Sequence, residues 1–361
     1  MKVNKVIIFL ISILIILLAI SVFVTYSNND SVKVITKDLG NDDVSVAITG
    51  DVMFGRKMPS VLSSGESPFK YVKNVTKSAD ALIVNFENPV TTSVNPVKGD
   101  VPLKADPVYT HLLAEANKIV IAAQANNHAF DYGIEGMEDS LNNLKDSGII
   151  PIGAGKDITE ASKPAIITVG DRTITVLNYM DSNNFAEYSD AVMPKAGIDK
   201  PGYAAYDSDL AKKQIKKAKE NSSCVVIFIH YGNEYSRSPN EMQKKISHEC
   251  IKYGADMVVG AHAHVTQGIE MYNGKPIFYN LGNFIFDQSN PDTHRAYFLN
   301  LDLVNDTGKI TIYPVVINGY LPQFMDASSG NALLKELNPQ CSNVTINKDG
   351  SGSLNFKLGD I

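Results

Sequence analysis

Five short apolar runs in this chain are each followed at once by acidic, amide or imidazole side chains. The runs cover residues 46–50, 81–84, 119–123, 225–229 and 257–259. Short runs of this kind, rich in Val and Ile and alternating with helical patterns, are typical of buried strands in an α/β sheet. Because ligands of such sheets bind beyond the carboxyl ends of the strands, the pattern predicts one α/β domain with one site built from the residues that follow the runs.

The residues after these runs are of the types that bind divalent metals. They occur in the segments GDVMFGR (50–56), NFENPV (85–90), ANNHAFDYG (125–133), HYGNEY (230–235) and GAHAHV (260–265). Side chains two apart on an extended backbone share a face, so His262 and His264 would present two imidazoles on one side of one segment. Carboxylates and imidazoles at the ends of several strands are the side chains that form two-metal hydrolytic sites.

Each of these residues also has an ordinary structural explanation. Asp51 after Gly50 can cap a turn or a helix, and Glu87 can be a solvated loop carboxylate. His128 can bond a neighbouring carbonyl, and Asn127 can be a turn residue. We favour the site because the ordinary explanations together require several independent coincidences at strand ends.

The ordered motifs resemble the calcineurin-like metallophosphoesterase superfamily and, more closely, the CapA family, which is associated with poly-γ-glutamate capsule synthesis and export. The segments GAHAHVTQGIE and YNLGNFIFD extend the resemblance, which covers about residues 44–290. It implies an α/β fold of four layers, α/β/β/α, in which two mixed sheets face each other and helices lie outside.

The resemblance assigns six metal ligands and the acid His128, and we expect Arg56 and Asp131 to act beside them. The ligands are Asp51 for the first ion, Glu87 as the bridge, Asn127, His230 and His262 for the second ion, and His264 for the first. The catalytic residues are His128, which would protonate a leaving oxygen, Asp131 and Arg56. The implied cofactors are two divalent ions, of Mn, Fe, Zn or Mg. A guanidinium such as that of Arg56 is suited to binding phosphate or carboxylate.

Two positions depart from the ordinary metallophosphoesterase pattern. Such enzymes have a histidine two residues after the first aspartate, where this chain has Met53, and their bridging motif is of the Asp type, where this chain has Glu87. A thioether is a weak donor for a hard ion, so the first ion would have one ligand fewer. Three functions therefore stay open: a role in polymer synthesis or export through the metal site, a metal-dependent phosphoesterase or hydrolase of a cell-envelope substrate, and a non-catalytic polymer-binding scaffold.

The N-terminus predicts a single-pass membrane anchor. Residues 1–5 contain two lysines, and residues 6–24 are apolar except for two serines. A helix of this length spans about 28 Å, close to a hydrocarbon core of about 30 Å. The lysines before it predict a cytoplasmic N-terminus and an extracellular main domain in the cell membrane. A cleaved signal peptide is the alternative, although its hydrophobic core is normally shorter.

Beyond the anchor we expect a linker at 25–43, the metallophosphoesterase-like domain at 44–324, and a C-terminal helix and β-hairpin extension at 325–361. The expected partners are the cytoplasmic membrane, other capsule-synthesis membrane proteins and an anionic polymer. A formal net charge of −6 does not indicate the basic surface that nucleic-acid binding requires. Three cysteines cannot all pair and lack the spacing of a zinc ribbon, so we expect free thiols.

Overall fold

The computed structural model describes residues 23–26, 32–36, 43–99, 101–337 and 343–359. Nearly all of the predicted anchor at 6–24 lies outside these residues, and only its last two positions fall within a described strand. Among the helices in the described ranges, none has both the length and the apolar character needed to cross a bilayer.

The described strands are numbered in chain order. They are β1 (Phe23–Tyr26), β2 (Val32–Thr36), β3 (Val44–Val52), β4 (Ala81–Phe86), β5 (Val120–Ala123), β6 (Ile150–Ile152), β7 (Ala154–Gly155), β8 (Ala165–Val169), β9 (Arg172–Met180), β10 (Gly202–Tyr203), β11 (Cys224–His230), β12 (Met257–Ala261), β13 (Ile269–Tyr272), β14 (Lys275–Phe278), β15 (Asn283–Ile285), β16 (Arg295–Val304), β17 (Thr307–Asn318), β18 (Leu321–Phe324), β19 (Thr345–Ile346) and β20 (Gly352–Lys357).

The described α-helices are numbered in the same way. They are α1 (Pro59–Leu62), α2 (Lys73–Ser78), α3 (Thr110–Ala114), α4 (Gly133–Asp146), α5 (Ile158–Ala161), α6 (Ser208–Lys219), α7 (Glu241–Lys252) and α8 (Ala327–Leu337). Polar caps begin the two helices that cover β11. The side chain of Asp207 accepts a hydrogen bond from the backbone of α6, and Asn240 forms a reciprocal capping box with Gln243 of α7.

The strands form two mixed sheets and a small two-stranded ribbon of β7 and β10. The eight-stranded sheet has the order β1-β2-β8-β9-β11-β12-β14-β13. The ten-stranded sheet has the order β19-β20-β17-β16-β3-β4-β5-β6, with β15 on β3 and β18 on β17. Parallel neighbours carry the predicted site in both sheets: β3, β4 and β5 in one, β9, β11 and β12 in the other.

Because successive side chains of a strand point to opposite faces of the sheet, alternate residues of each strand pack into different layers. Ile83 of β4 faces the apolar core between the two sheets, which also contains Phe228 of β11. Its neighbour Leu82 faces a second core, which includes Leu112 of α3 and lies on the outer side of the ten-stranded sheet. The outer side of the eight-stranded sheet packs against α6 and α7, for example through Ile215. The result is two facing mixed sheets with helices on both outer faces.

Two parts of the chain differ from the sequence expectation. The segment at 25–43, expected to be a linker, contains the second half of β1 and all of β2, and β2 pairs in parallel with β8. Polar residues on either side of β2 dominate the composition of this segment, which is why it resembles a linker. The five residues of β2 are nevertheless enough for strand pairing. At the other end, the expected C-terminal extension contains the helix α8, and β19 and β20 pair antiparallel within it. β20 pairs with β17, so the C-terminal segment continues the ten-stranded sheet.

Candidate metal centre

Five of the six predicted metal ligands lie in two groups of side chains that share one member. Asp51, Glu87 and His264 form one group, and Glu87, His230 and His262 form the other. Within each group, one ligand atom per residue lies within 4.8 Å of the others, and all five residues are buried. The carboxylates come from the ten-stranded sheet and the histidines from the eight-stranded sheet, so the two groups lie where the carboxyl ends of both sheets meet.

Strand ends position these side chains. Asp51 lies near the end of β3, Glu87 directly follows β4, and His230 is the last residue of β11. His262 and His264 follow β12 in a bend with φ angles of +98° and +59°. The prediction of an extended backbone at these two residues is therefore wrong. Their imidazoles enter different groups, in agreement with the separate ions to which the resemblance assigns them.

Close backbone contacts next to the ligands require glycine at two positions. A Cβ atom on Gly50, before Asp51, would lie 1.8 Å from the Gly282 carbonyl oxygen. A Cβ atom on Gly260, two residues before His262, would lie 2.0 Å from a backbone oxygen. Both ligand-bearing strands thus pass against neighbouring backbone with no room for a side chain.

The shared carboxylate of Glu87 lies between the two halves of the site. Its Oε1 atom is 3.8 Å from Nε2 of His230 and 3.9 Å from Nε2 of His264, and among the described residues it has no hydrogen-bond partner. The same holds for the buried Nδ1 of His262 and Oδ2 of Asp51, although this oxygen lies 3.3 Å from Nδ1 of His264. A buried carboxylate oxygen left without a partner costs upwards of about 1–3 kcal/mol. One divalent cation in each group, sharing the carboxylate of Glu87, would satisfy these atoms, so the donor set fits such ions.

Asn127 and Asn85 complete the cluster from the ten-stranded sheet. Oδ1 of Asn127, the sixth predicted ligand, lies 2.9 Å from Nε2 of His230. Asn85, which the sequence reasoning missed, donates from Nδ2 to Oδ1 of Asp51 at 2.7 Å. Asn85 lies two residues before Glu87, and residues two apart on a strand share a face. This spacing is the sequence signal that could have identified Asn85.

Asn283 of β15 orients one of the histidines. Its Oδ1 atom lies 2.9 Å from Nδ1 of His264, so it accepts the proton at Nδ1 and leaves Nε2 as the free donor atom. The segment YNLGNFIFD contains Asn283. Sequence reasoning took this segment only as a mark of the family and assigned no role within it.

His128 is held at the rim by a carboxylate and a lysine. Its Nδ1 atom lies 2.6 Å from Oδ2 of Asp131, which also accepts the backbone N–H of Leu103 at 2.6 Å. Lys98, only 5% exposed, donates from Nζ to the backbone oxygen of Asn127 at 3.2 Å and lies 3.7 Å from Oδ1 of Asp131. Lys98 could not be identified from the sequence, since its loop has no recognisable pattern.

Arg56 and Met53 follow Asp51 but have different surroundings. The guanidinium of Arg56 pairs with Asp287 and lies 5.3 Å over the ring of Phe286, at the wall of the cleft. Met53 is fully buried in the core on the outer side of the ten-stranded sheet, and its Sδ atom accepts the backbone N–H of Gly55 at 2.8 Å. Met53 therefore packs the core at the position where an ordinary metallophosphoesterase has a ligand.

Burial and mutual charge set the protonation of the cluster in the absence of metal. Burial lowers the pKa of His230 and His262 well below the ordinary value, and the neighbouring imidazoles lower it further. Burial, with the nearby Asp51 carboxylate, raises the pKa of Glu87 well above its ordinary value. Burial also lowers the pKa of His264, but the Glu87 and Asp51 carboxylates outweigh it and raise that pKa to about 9.

These shifts predict that metal binding strengthens as pH rises. In the metal-free protein His264 keeps its proton up to about pH 9, whereas a ligand imidazole must be neutral and a ligand carboxylate ionised. We expect the apparent affinity for Mn²⁺ or Zn²⁺ to rise by up to about tenfold per pH unit for each proton released, and to level off above that pKa. Competition with a chelator of known affinity would measure this, and an affinity independent of pH between 6.5 and 8.5 would contradict it.

The cluster opens into a cleft of about 470 Å³. Asn127, His128, His262 and His264 line it, together with Lys98 on one wall. Eight described residues other than glycine have a positive φ angle. Five of these eight line this cleft: Arg56, Val101, Tyr235, His262 and His264. Backbone strain of about 1–3 kcal/mol per residue clusters at functional sites, so this concentration marks the cleft as the functional surface.

Burial lowers the pKa of His128, and the adjacent Asp131 carboxylate offsets part of that effect. With Nδ1 directed at Asp131, the other ring nitrogen of His128 is free to exchange a proton with a bound molecule. The site thus combines two groups of side chains that could each hold a metal ion, a histidine that can carry a proton, and a guanidinium at the wall.

Comparisons with known proteins agree with the motif-based expectation. The profile of the family described as "Bacterial capsule synthesis protein PGA_cap" matches residues 45–288. "PGA biosynthesis protein CapA" of Bacillus subtilis is 31% identical over 90% of this chain and 85% of its own length. "Capsule biosynthesis protein CapA" of Bacillus anthracis is 28% identical over 88% of this chain and 78% of its own length.

Among solved structures, sulfate thiohydrolase SoxB of Thermus thermophilus in complex with glycerol is 13% identical with a TM-score of 0.43, covering 80% of this chain and 50% of that one. The family profile and the Bacillus relatives carry the assignment. This chain belongs to the CapA family of bacterial capsule synthesis proteins.

Proposed function

We propose that this protein acts in the synthesis or export of poly-γ-glutamate, an anionic surface polymer, through a metallophosphoesterase-like site for two divalent ions. The names of the Bacillus relatives support the polymer. One observation carries the metal site: the buried Oε1 atom of Glu87, without a hydrogen-bond partner, lies between imidazoles of the two groups. An oxygen in that position is what a bridging ligand requires.

Each group of side chains has a part in this proposal. Asp51 and His264 would hold one ion, while His230, His262 and Asn127 would hold the other. Ions bound there would supply Lewis-acid activation of water and would neutralise negative charge on the substrate. His128, oriented by Asp131, would pass a proton to a departing oxygen or nitrogen. Arg56 would bind a carboxylate or phosphate of the substrate.

We further propose that residues 6–24 anchor the chain in the cytoplasmic membrane and that the main domain lies outside the cell. The apolar run and the lysines before it support this orientation. Its partners would be the polymer and other membrane proteins of capsule synthesis. Cleavage of the domain by protease added to wall-stripped cells would test the orientation, and a domain left whole would contradict it.

Hydrolysis of another cell-envelope ester is the second candidate function. The arrangement of His128 and Asp131 beside the metal ligands favours turnover over simple binding. Met53 favours the third candidate, a scaffold that binds polymer without turnover, because one ligand of the first ion is missing. Surface polymer and hydrolysis therefore have to be measured on the same variants.

The test of the proposed function uses a strain that makes the polymer and lacks its own copy of this gene. We expect the wild-type protein to restore surface poly-γ-glutamate and His264→Ala to leave it reduced by at least about tenfold, because the variant loses a metal ligand. The matched control is His111→Ala, an exposed helix histidine whose Nδ1 atom lies 2.8 Å from the nearby Val108 oxygen. Normal polymer with a metal-free His264→Ala protein would overturn the proposal.

A further inference from the structure

The cleft above the metal groups continues into a second hollow. The cleft has a volume of about 470 Å³, and the second hollow, about 360 Å³, lies beside it. Arg56, Tyr235 and Gln288 line both spaces. The two spaces therefore share a wall of three side chains, and the histidines of the metal groups line the cleft alone.

The second hollow favours negative charge. Arg56 and Lys57 are the cationic residues of its lining, and Asp287 is the acidic one. The Asp287 side chain is 2% exposed, against 30% for Arg56. Asp287 is engaged on both oxygens, because it pairs with the guanidinium and accepts the backbone N–H of Lys57 at 3.0 Å. A molecule in the hollow therefore meets the guanidinium and the lysine, while the carboxylate lies covered beneath them.

Two residues with a strained backbone lie at the junction between the two spaces. Arg56 has a φ angle of +49° and Tyr235 one of +61°. The backbone N–H of Tyr235 donates to Ala263, between the two histidines of the bend, at 2.8 Å. The side chain of Tyr235 stays 48% exposed, and its hydroxyl accepts a hydrogen bond from Gln288 at 3.3 Å. Residues kept in such conformations are typical of ligand-binding surfaces.

We propose that the second hollow is a subsite for the next repeat unit of a carboxylate-bearing chain whose reacting bond lies at the metal groups. This inference rests on the proposed function and adds to it the shape of the substrate. A small phosphate ester would bind within the cleft, whereas a polymer chain has to extend out of it. The second hollow adjoins the cleft and has cations that can bind the next carboxylate of the chain. Arg56 serves both positions, and Lys57 serves the second alone.

Synthetic γ-linked glutamate oligomers of two, four, six and eight units provide the test, with binding to the purified full-length protein measured by calorimetry. We expect affinity to rise with length, and Lys57→Met to lower the affinity of the longer oligomers about fivefold while leaving that of the dimer unchanged. Arg56→Met should weaken every length. Lys70→Met, which changes a lysine paired with Glu66 outside both spaces, is the control and should change none.

Matched γ-linked glutamine oligomers separate carboxylate recognition from chain length, since they should gain no affinity with length. Dimer binding without any gain in longer oligomers, or a full gain retained in Lys57→Met, would overturn the subsite and leave the proposed function intact. If no oligomer of any length binds, the proposed function itself fails.

Discussion

Replacing Glu87 by glutamine is expected to reduce bound divalent metal from two ions per chain to at most one, and to weaken the remaining ion by at least about 100-fold. The amide keeps the shape of the side chain but removes the charge from the oxygen that lies between His230 and His264. Metal content after dialysis against a limiting metal buffer, measured by mass spectrometry, checks the result.

The control for this change is Glu234→Gln. Glu234 is an exposed carboxylate that lines the same cleft but belongs to neither group of ligands. We expect its loss to leave two ions per chain, since it adds only to the general negative potential. Equal metal content in Glu87→Gln and the wild-type protein would remove the bridge and with it the two-ion site.

Replacing His128 by alanine is expected to lower turnover of an ester substrate by about 10²–10⁴-fold while metal content stays at the wild-type level. The change removes the group placed to protonate the leaving atom and leaves all six metal ligands unchanged. Hydrolysis of p-nitrophenyl phosphate and its bis-ester, measured beside surface polymer in cells, reads out both candidate activities.

Asp131→Asn separates positioning from proton transfer. It should reduce turnover less than His128→Ala does, because the asparagine can still contact Nδ1 of His128 but no longer supports its positive charge. If wild-type protein hydrolyses no substrate and His128→Ala restores full surface polymer, the histidine has no chemical role, and the scaffold function would be favoured over hydrolysis.

The fold and the approximate place of the site could be predicted because both depend on local patterns. Runs such as that of β11, buried at every position, are readable as central strands from composition alone. The hairpin of β8 and β9 follows from the turn at Gly170 and Asp171. Since parallel strands of one sheet place their carboxyl ends at the same edge, the proximity of Asp51 and Glu87 follows from the pairing of β3 with β4, whereas His230 joins them from the other sheet.

Other features depend on tertiary contacts that no local pattern encodes. The bend that divides His262 from His264 between two groups arises from positive φ angles, which the segment GAHAHV does not reveal. Lys98 reaches Asn127 from a loop about thirty residues away in the chain. β2 was missed because pairing with β8 stabilises five residues whose flanking sequence is polar. Long-range pairing decided each of these cases.

The backbone contacts at Gly50 and Gly260 have a consequence for which ion the protein carries. Both ligand-bearing strands are fixed against neighbouring backbone oxygens by the packing of the sheets, so the ligands are arranged before any ion arrives. Binding free energy is then not consumed in ordering the chain, unlike in small domains that fold only around their metal. We expect a chelated protein to remain folded and to accept a new ion. The occupant in the cell would accordingly follow the supply of divalent metal and change with it.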